Sequence, residues 1–175
     1  MGQQFGRFCV LVMNTAFFSE GKPLAELGNP NDYAYQALDY YYTHMKFPDT
    51  MEVLSIRCGE YDRVSHYDGA PDWAKPSGTI LDMGHQYFMV QITIRAANSF
   101  GALTTSTYVS LFDITSGKTY HDLVGYAESM ADGAWGSRKL EWMDVKSEAL
   151  MLAASVNFPE LTREEIQSLV DMVRS

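Results

Sequence analysis

Residues 86–113, QYFMVQITIRAANSFGALTTSTYVSLFD, carry the clearest pattern in this sequence. The first half alternates two sets of side chains, which predicts a strand with one buried face: Phe88, Val90, Ile92, Ile94 and Ala96 on one side, and Tyr87, Met89, Gln91, Thr93 and Arg95 on the other. The second half, Leu103–Phe112, is rich in the Thr, Tyr and Val that strands favour. Between the halves, Asn98-Ser99-Phe100-Gly101 predicts a tight turn with Gly101 at positive φ. We therefore predict an antiparallel hairpin, which must be covered because an isolated hairpin is only marginally stable.

The segments before the hairpin predict the rest of an α+β fold. Met51–Cys58 alternates again and predicts a third strand, with Leu54, Ile56 and Cys58 inward. The apolar run Phe8–Ala16 is interpreted as a buried strand or the start of a helix. Pro30–Lys46 predicts a helix, because Asn29 suits the N-cap and Pro30 the first helical position. The predicted fold is α+β, with this N-terminal helix packed on a curved antiparallel sheet of Met51–Cys58, Gln86–Ala97 and Leu103–Phe112, which Phe8–Ala16 would join if it is a strand.

The sequence after Tyr120 predicts a C-terminal helical extension. Asp122–Ala131 and Ser137–Val156 have helical patterns, with Asp144-Val145 as a point where the second would break. A last helix begins at a capping box of Thr162 and Glu165. These helices either cover the other side of the sheet or form an appended bundle. We predict residues 1–120 to be the sheet domain and residues 121–175 the extension, packed on it as a single unit.

Composition and charge narrow the class of protein. The 175 residues carry a formal net charge of −9, which argues against a nucleic-acid partner because such proteins need basic patches. Cys9 and Cys58 allow one disulfide or two free thiols, and we favour the thiols. No segment predicts a membrane span, and no convincing signal peptide is present, which favours a cytoplasmic location over export.

Tyrosines crowd the predicted first helix, and those that do not face inward would form a surface for a protein partner, since Tyr is enriched at interfaces. The residues predicted to form it are Tyr33, Tyr40 and Tyr42 on the helix with Tyr87 and Arg95 on the hairpin. The alternative is that these tyrosines pack over the sheet. Likewise, the hairpin row from Tyr87 to Arg95 is exposed if helices cover one face of the sheet, and is core with Arg95 at an edge if they cover both.

The long connection between Gly59 and Gly84 is the second candidate site, because long loops in compact domains are often functional. It contains Glu60, Asp62, His66, Asp68 and Trp73, and His66 with Asp62 or Asp68 would serve a hydrolase or a small-ligand binder. The acidic spacing matches no calcium loop, and we predict no metal and no cofactor. Ser116-Gly117-Lys118-Thr119 is not a phosphate loop, because Phe112 stands where that motif requires a glycine.

Residues 94–101, IRAANSFG, resemble the hairpin of small, mostly uncharacterised bacterial domains in which an R-A-x-N-S-F-G turn joins two long strands. Residues 45–52, MKFPDTME, resemble the helix exit of those domains, and the match covers about residues 33–113. The resemblance implies a cystatin-like helix on a curved antiparallel sheet and supplies no catalytic residues. Those domains are often exported or lipid-anchored. This chain departs from them at Ala97, at Ala102 and in the helices after Tyr120.

Two functional hypotheses follow from the sequence. The first is a non-enzymatic binding protein that engages a macromolecular partner through an acidic, Tyr-rich surface, a description that includes inhibitors and immunity-type proteins of bacterial or mobile-element origin. The alternative is a small-ligand binder or hydrolase with its site in the 59–84 loop.

Overall fold

The computed structural model describes residues 18–19, 30–62, 68–69, 81, 84–155 and 158–175. Within them lie an antiparallel sheet and four α-helices. The strands are β1 (Phe18–Ser19), β2 (Glu52–Tyr61), β3 (Tyr87–Ala97), β4 (Leu103–Asp113) and β5 (Thr119–Tyr120), and the helices are α1 (Pro30–His44), α2 (Leu123–Asp132), α3 (Ser137–Ser155) and α4 (Arg163–Arg174). The fold is α+β, as predicted.

The predicted hairpin is the centre of the sheet. β3 and β4 pair antiparallel without a break from Tyr87↔Asp113 to Ala97↔Leu103. The turn is held by Asn98, whose side-chain oxygen accepts hydrogen bonds from the backbone N–H groups of Phe100 (2.9 Å) and Ala102 (3.1 Å). Gly101 has φ 81°, the conformation expected from the sequence. Turn chemistry and strand pattern together confirm this prediction.

The strand order is β1-β5-β4-β3-β2, so β2 is an outer strand. Its free side is partly occupied by the chain that leads into α4. Glu160 bridges to Arg57, and the Leu161 N–H donates to the Ile56 carbonyl at 2.9 Å. This contact satisfies backbone groups that an open sheet edge would otherwise expose.

A β-bulge corrects one prediction for β2. The pairing register with β3 shifts between Val53 and Ser55, which leaves Leu54 as the extra residue. Leu54 is 43% exposed and does not point inward, whereas Ile56 and Cys58 are buried as predicted. Cys58 is a free thiol, and burial, with a contribution from Glu165, raises its pKa to about 11.

Helices cover both faces of the sheet, which decides between the two arrangements that the sequence left open. One face of the hairpin packs with α1 and α4, and the other packs with α2 and α3. Because side chains alternate along a strand, consecutive β3 residues serve different cores. The first core takes Phe88, Val90, Ile92 and Ile94, and the second takes Tyr87 and Met89 with Val109 and Leu111 of β4.

The C-terminal helices divide between the two layers. Asp122 is the N-cap of α2, and its carboxylate accepts a hydrogen bond from the Gly125 N–H at 3.0 Å. α3 runs without a break through Asp144-Val145, because Val145 is buried in the second core. α4 has the predicted capping box of Thr162 and Glu165, but it packs beside α1 and not with the other two helices.

The prediction for Phe8–Ala16 and the pairing of Cys9 lie outside the described residues. None of the helices described is both long and apolar enough to cross a membrane.

Candidate functional site

Three of the five residues predicted to form a partner surface are in the core. Tyr33, Tyr40 and Tyr87 are only 4%, 5% and 2% exposed, so the prediction that they are accessible is wrong. The reason is aromatic packing: Tyr33 stacks on Phe88 with 4.2 Å between ring centroids, and Tyr87 lies beneath the second helical layer. Tyr42 is half-buried, and the Arg95 side chain is 49% exposed. The five residues therefore do not form one surface.

The hairpin row from Tyr87 to Arg95 is mostly covered by the helical layer of α2 and α3. Met89 and Gln91 are buried with Tyr87, Thr93 is half-buried and only Arg95 is exposed. The Gln91 side-chain amide donates to the carbonyls of Leu152 (3.3 Å) and Ala153, near the end of α3. Gln91 therefore satisfies acceptors that the last turn of a helix leaves without partners inside the helix.

The predicted loop site is only partly described. Glu60 belongs to β2 and Asp62 follows that strand, while Asp68 is exposed. His66 and Trp73 lie outside the described residues. Among the residues that are described, no group of three or more His, Cys, Asp or Glu side chains could hold a metal ion.

A histidine–carboxylate pair lies beside this loop. His85 Nδ1 is 2.7 Å from Asp113 Oδ2, and Asp113 is itself held at the end of β4, where its other oxygen accepts from the Ser116 N–H at 2.9 Å. A carboxylate only accepts hydrogen bonds, so Nδ1 of His85 is the donor in this contact. The His85 side chain is 28% exposed and lines a pocket of about 400 Å³ together with Glu60 and Asp62.

This pair is not apparent in the sequence because the two residues are far apart in the chain. The hairpin register contains the information, since Asp113 pairs with Tyr87, two residues after His85. Extending the predicted pairing of the two hairpin strands beyond Tyr87 would have placed His85 near Asp113. Neither residue matches a local motif.

A buried histidine lies on the other side of the sheet. His121 is 0% exposed and stacks on Tyr40 with 4.4 Å between centroids, and Tyr40 also stacks on His44 at 4.1 Å. Burial lowers the pKa of His121 to about 3, with a contribution from His44. Neither ring nitrogen has a hydrogen-bond partner in the part of the chain that the structure describes. His121 is therefore a neutral aromatic member of the core.

The backbone of His121 is fixed by two hydroxyls. Its carbonyl accepts hydrogen bonds from Tyr41 and Ser110, and those two hydroxyls are 3.2 Å apart. Burial raises the pKa of Tyr41 well above its ordinary value, and that of Tyr40 to about 12. These groups link α1 to the sheet.

The outer face of α3 is the most exposed apolar surface on a described helix. Four large side chains there are accessible: Leu140 (63%), Met143 (49%), Leu150 (51%) and Met151 (37%). Trp135, in the connection before the helix, is 90% exposed. The opposite side of α3 packs in the second core through Trp142, Val145, Ala149 and Leu152. α3 therefore has one apolar side in the second core and another apolar side that is exposed.

Comparison with protein-family models, with curated proteins and with solved structures finds no match to this chain. The resemblance of residues 33–113 to hairpin-containing bacterial domains stays a prediction.

Proposed function

We propose that this protein is a non-enzymatic interaction protein that binds a protein partner through the outer face of α3. The observation that carries the proposal is the apolar row on a helix whose other side already fills the core. The acidic, Tyr-rich surface of the sequence hypothesis is replaced by this row and by Trp135. Inhibition or immunity by sequestration of the partner is one form that such binding takes.

The exposed apolar surface of α3 favours binding, because a partner that covers it removes apolar area from water. Single apolar side chains are common on protein surfaces, but contiguous patches mark contact sites. Burying a large aliphatic side chain completely is worth about 1.5–3 kcal/mol, and the residues of this row are about half exposed. Four of them on one helix thus provide the core of a small interface, and Trp135 provides the type of aromatic anchor that dominates interface energetics.

The proposal is tested by photo-crosslinking in the cells that make the protein. A photoreactive phenylalanine analogue replaces Met143 on the proposed face, and in a control chain it replaces Thr105, which is exposed on β4. We expect a discrete protein adduct from position 143 and none from position 105. An adduct with another protein or with a second copy supports the proposal. No adduct at position 143, or the same adducts from both positions, would overturn it.

A second candidate function, binding of a small ligand, is favoured by the pocket beside His85. The pair with Asp113 orients the ring, and two carboxylates line the same pocket, so organic cations are the first ligands to test. For a hydrolase, the pair would supply the base only, and a nucleophile or activated water would have to lie within hydrogen-bond distance of the imidazole.

Thermal shift measurements test this second candidate. A panel of small organic cations is screened against the wild-type chain, the His85→Ala variant and, as control, the His44→Ala variant, since His44 is exposed on α1 away from the pocket lining. A ligand of the pocket raises the Tm of the wild type and of the control and leaves His85→Ala unchanged. Equal shifts in all three chains, or none in any, count against the site.

A further inference from the structure

We infer that ordered water binds inside the protein, between α1 and the end of β5, as the shared hydrogen-bond partner of Gln36, Thr119 and His121. This site is separate from the partner-binding face proposed for α3. Four side-chain atoms are buried at the junction of α1 and β5 without a hydrogen-bond partner in the described part of the chain.

The four atoms belong to three residues that are almost completely inaccessible to solvent. They are Gln36 Oε1, Thr119 Oγ1 and both ring nitrogens of His121, and the residues are 4%, 1% and 0% exposed. A buried polar atom without a partner lowers stability, and in folded proteins nearly all such atoms bond to the protein or to ordered water. Three such residues in one place therefore point to a bound guest.

The sheet directs Thr119 and His121 towards the same face. Tyr120, between them in sequence, belongs to the second core, and side chains alternate along a strand, so its two neighbours point to the first core. Thr119 pairs with Phe112, a residue of the first core. The Phe112 ring is in turn 6.3 Å from the His121 ring, measured between centroids. Both polar side chains therefore face the layer that contains α1.

α1 places Gln36 at the same junction. The ring of Tyr33, three residues earlier, is 5.2 Å from the ring of Phe112. The ring of Tyr40, four residues later, stacks on His121 at 4.4 Å. Residues three and four apart are neighbours on the surface of a helix, so Gln36 lies between these two contacts with the sheet.

Water suits all three groups because it both donates and accepts hydrogen bonds. The Gln36 oxygen requires a donor, and the Thr119 hydroxyl can donate or accept. The His121 ring is neutral at pH 7, since burial lowers its pKa to about 3, and a neutral imidazole has one N–H donor and one acceptor nitrogen. A buried water molecule makes about three hydrogen bonds, so one or two molecules can satisfy the four atoms.

Other classes of guest fit these groups less well. A metal ion would leave the imidazole N–H without an acceptor, and the described residues contain no group of three or more His, Cys, Asp or Glu side chains that could hold one. Asp32 and Asp39 lie on the same side of α1 as Gln36 and would repel an anion. A larger organic molecule is disfavoured because the three residues are at most 4% exposed.

The bound water would give α1 a second polar link to the sheet. The first link is the backbone carbonyl of His121, which accepts hydrogen bonds from Tyr41 of α1 and Ser110 of β4. Water on the side of the ring would join the same two layers through side chains. We therefore expect the loss of this water to lower thermal stability.

Oxygen-17 relaxation dispersion of the water signal tests the inference, because it counts long-lived water molecules in the full chain. The wild type is compared at pH 7 with the Gln36→Met/Thr119→Val double variant, which removes two of the three partners with little change in shape. Thr105→Val, at an exposed position on β4, is the matched control. We expect the double variant to lose at least one long-lived water molecule and the control to lose none. Equal counts in all three chains would overturn the inference.

Thermal unfolding of the single variants tests whether the two residues share the water. Gln36→Met and Thr119→Val should each lower the Tm by about 2–4 °C, because each leaves the water one hydrogen bond short. The double variant should lose less than the sum of the two, since the remaining partner is removed as well. Additive losses would count against a shared guest. Coupling without a change in the water count would show that the two side chains bond directly, and would also overturn the inference.

A high-resolution crystal structure of the wild type keeps the inference testable if the variants fail to fold. A water molecule within about 3.2 Å of polar atoms of all three side chains, or two linked molecules that do so together, supports it. A junction in which the side chains bond only to one another, or to a guest other than water, overturns it. Neither result changes the test of the α3 face by crosslinking at Met143.

Discussion

His121 shows how burial of a single residue makes stability depend on pH. Its pKa is about 3 in the folded chain and about 6.5 when the ring is solvated, so between these values the unfolded chain binds a proton that the folded chain excludes. The contribution of His121 is complete above pH 6.5 and is lost as the pH falls towards 3. From pH 7 to about 4.5, this one group should cost about 2–3 kcal/mol. Urea unfolding of the wild type and of His121→Phe at both pH values measures this loss in the free energy of unfolding.

The variant comparison isolates His121 from other titrating groups. Burial raises the pKa of Asp32, Asp39 and Asp122, an effect of opposite sign that both chains share. His121→Phe should therefore lose less stability on acidification than the wild type does. An equal loss in His121→Phe and in the wild type would show that the ring is not a buried, neutral group.

The burial of individual tyrosines could not be predicted from the sequence, because several polar residues of α1 are buried although polar side chains are usually exposed. Asp32, Gln36 and Asp39 recur along one side of this helix and are less than 9% exposed. From the helical pattern, we would expect these polar residues to face solvent and the tyrosines to be shared between the buried side and the exposed side of the helix. The pattern therefore predicted the helix correctly. It predicted the exposure of Tyr33 and Tyr40 wrongly, because nearly all sides of α1 are buried.

At the scale of elements, what could be predicted is what neighbouring residues determine. The Asn98–Gly101 turn and the capping box at Thr162 are local chemistry, and both are found as predicted. The bulge at Leu54 was not predictable, because it arises from the pairing of β2 with β3 and not from the β2 sequence. The same holds for α4, whose apolar row does not specify which face of the sheet it covers.

The contact between β2 and the segment before α4 gives a prediction at this scale. A Cβ atom on Gly59 would lie 2.5 Å from the Phe158 ring, so Gly59→Ala must displace that ring or the strand. We expect a loss of about 1–3 kcal/mol in the free energy of unfolding, measured with urea. In a Phe158→Ala background the clash is absent, and the same change should be neutral or slightly stabilising, because alanine costs a strand less backbone entropy than glycine.

The double-mutant cycle decides whether the contact is the cause. The coupling energy between the two substitutions should be about as large as the cost of Gly59→Ala alone. If Gly59→Ala lowers the free energy of unfolding equally in both backgrounds, the strand, and not the aromatic ring, is the reason that glycine is needed at position 59. The ring contact would then be incidental to the stability of β2.

At the scale of the whole molecule, both candidate sites depend on how the helical layers and the strands pack together. For this reason the sequence alone predicted little of either site. α3 has two apolar sides, and only its packing on the sheet shows that the side with Trp142 is inside and the side with Leu140 is outside. His85 and Asp113 meet because two strands pair in one register. Residue type and spacing predicted the elements, but the exposed surfaces follow from their assembly.

The two helical layers predict that the sheet cannot stand alone. A chain cut after Tyr120 keeps all the described strands but loses α4 from the first layer and both helices of the second layer, α2 and α3, which cover Met89, Val109 and Leu111, all 0% exposed. Each such side chain is worth about 1.5–3 kcal/mol when buried, and a whole domain is stable by only about 5–15 kcal/mol. We therefore expect residues 1–120 to lack cooperative thermal unfolding and to bind a hydrophobic dye such as ANS. Adding residues 121–175 as a separate fragment should restore near-UV circular dichroism. A cooperative transition in the short chain alone would instead show that α1 and the sheet are sufficient to fold, and that α2, α3 and α4 are additions to a complete domain.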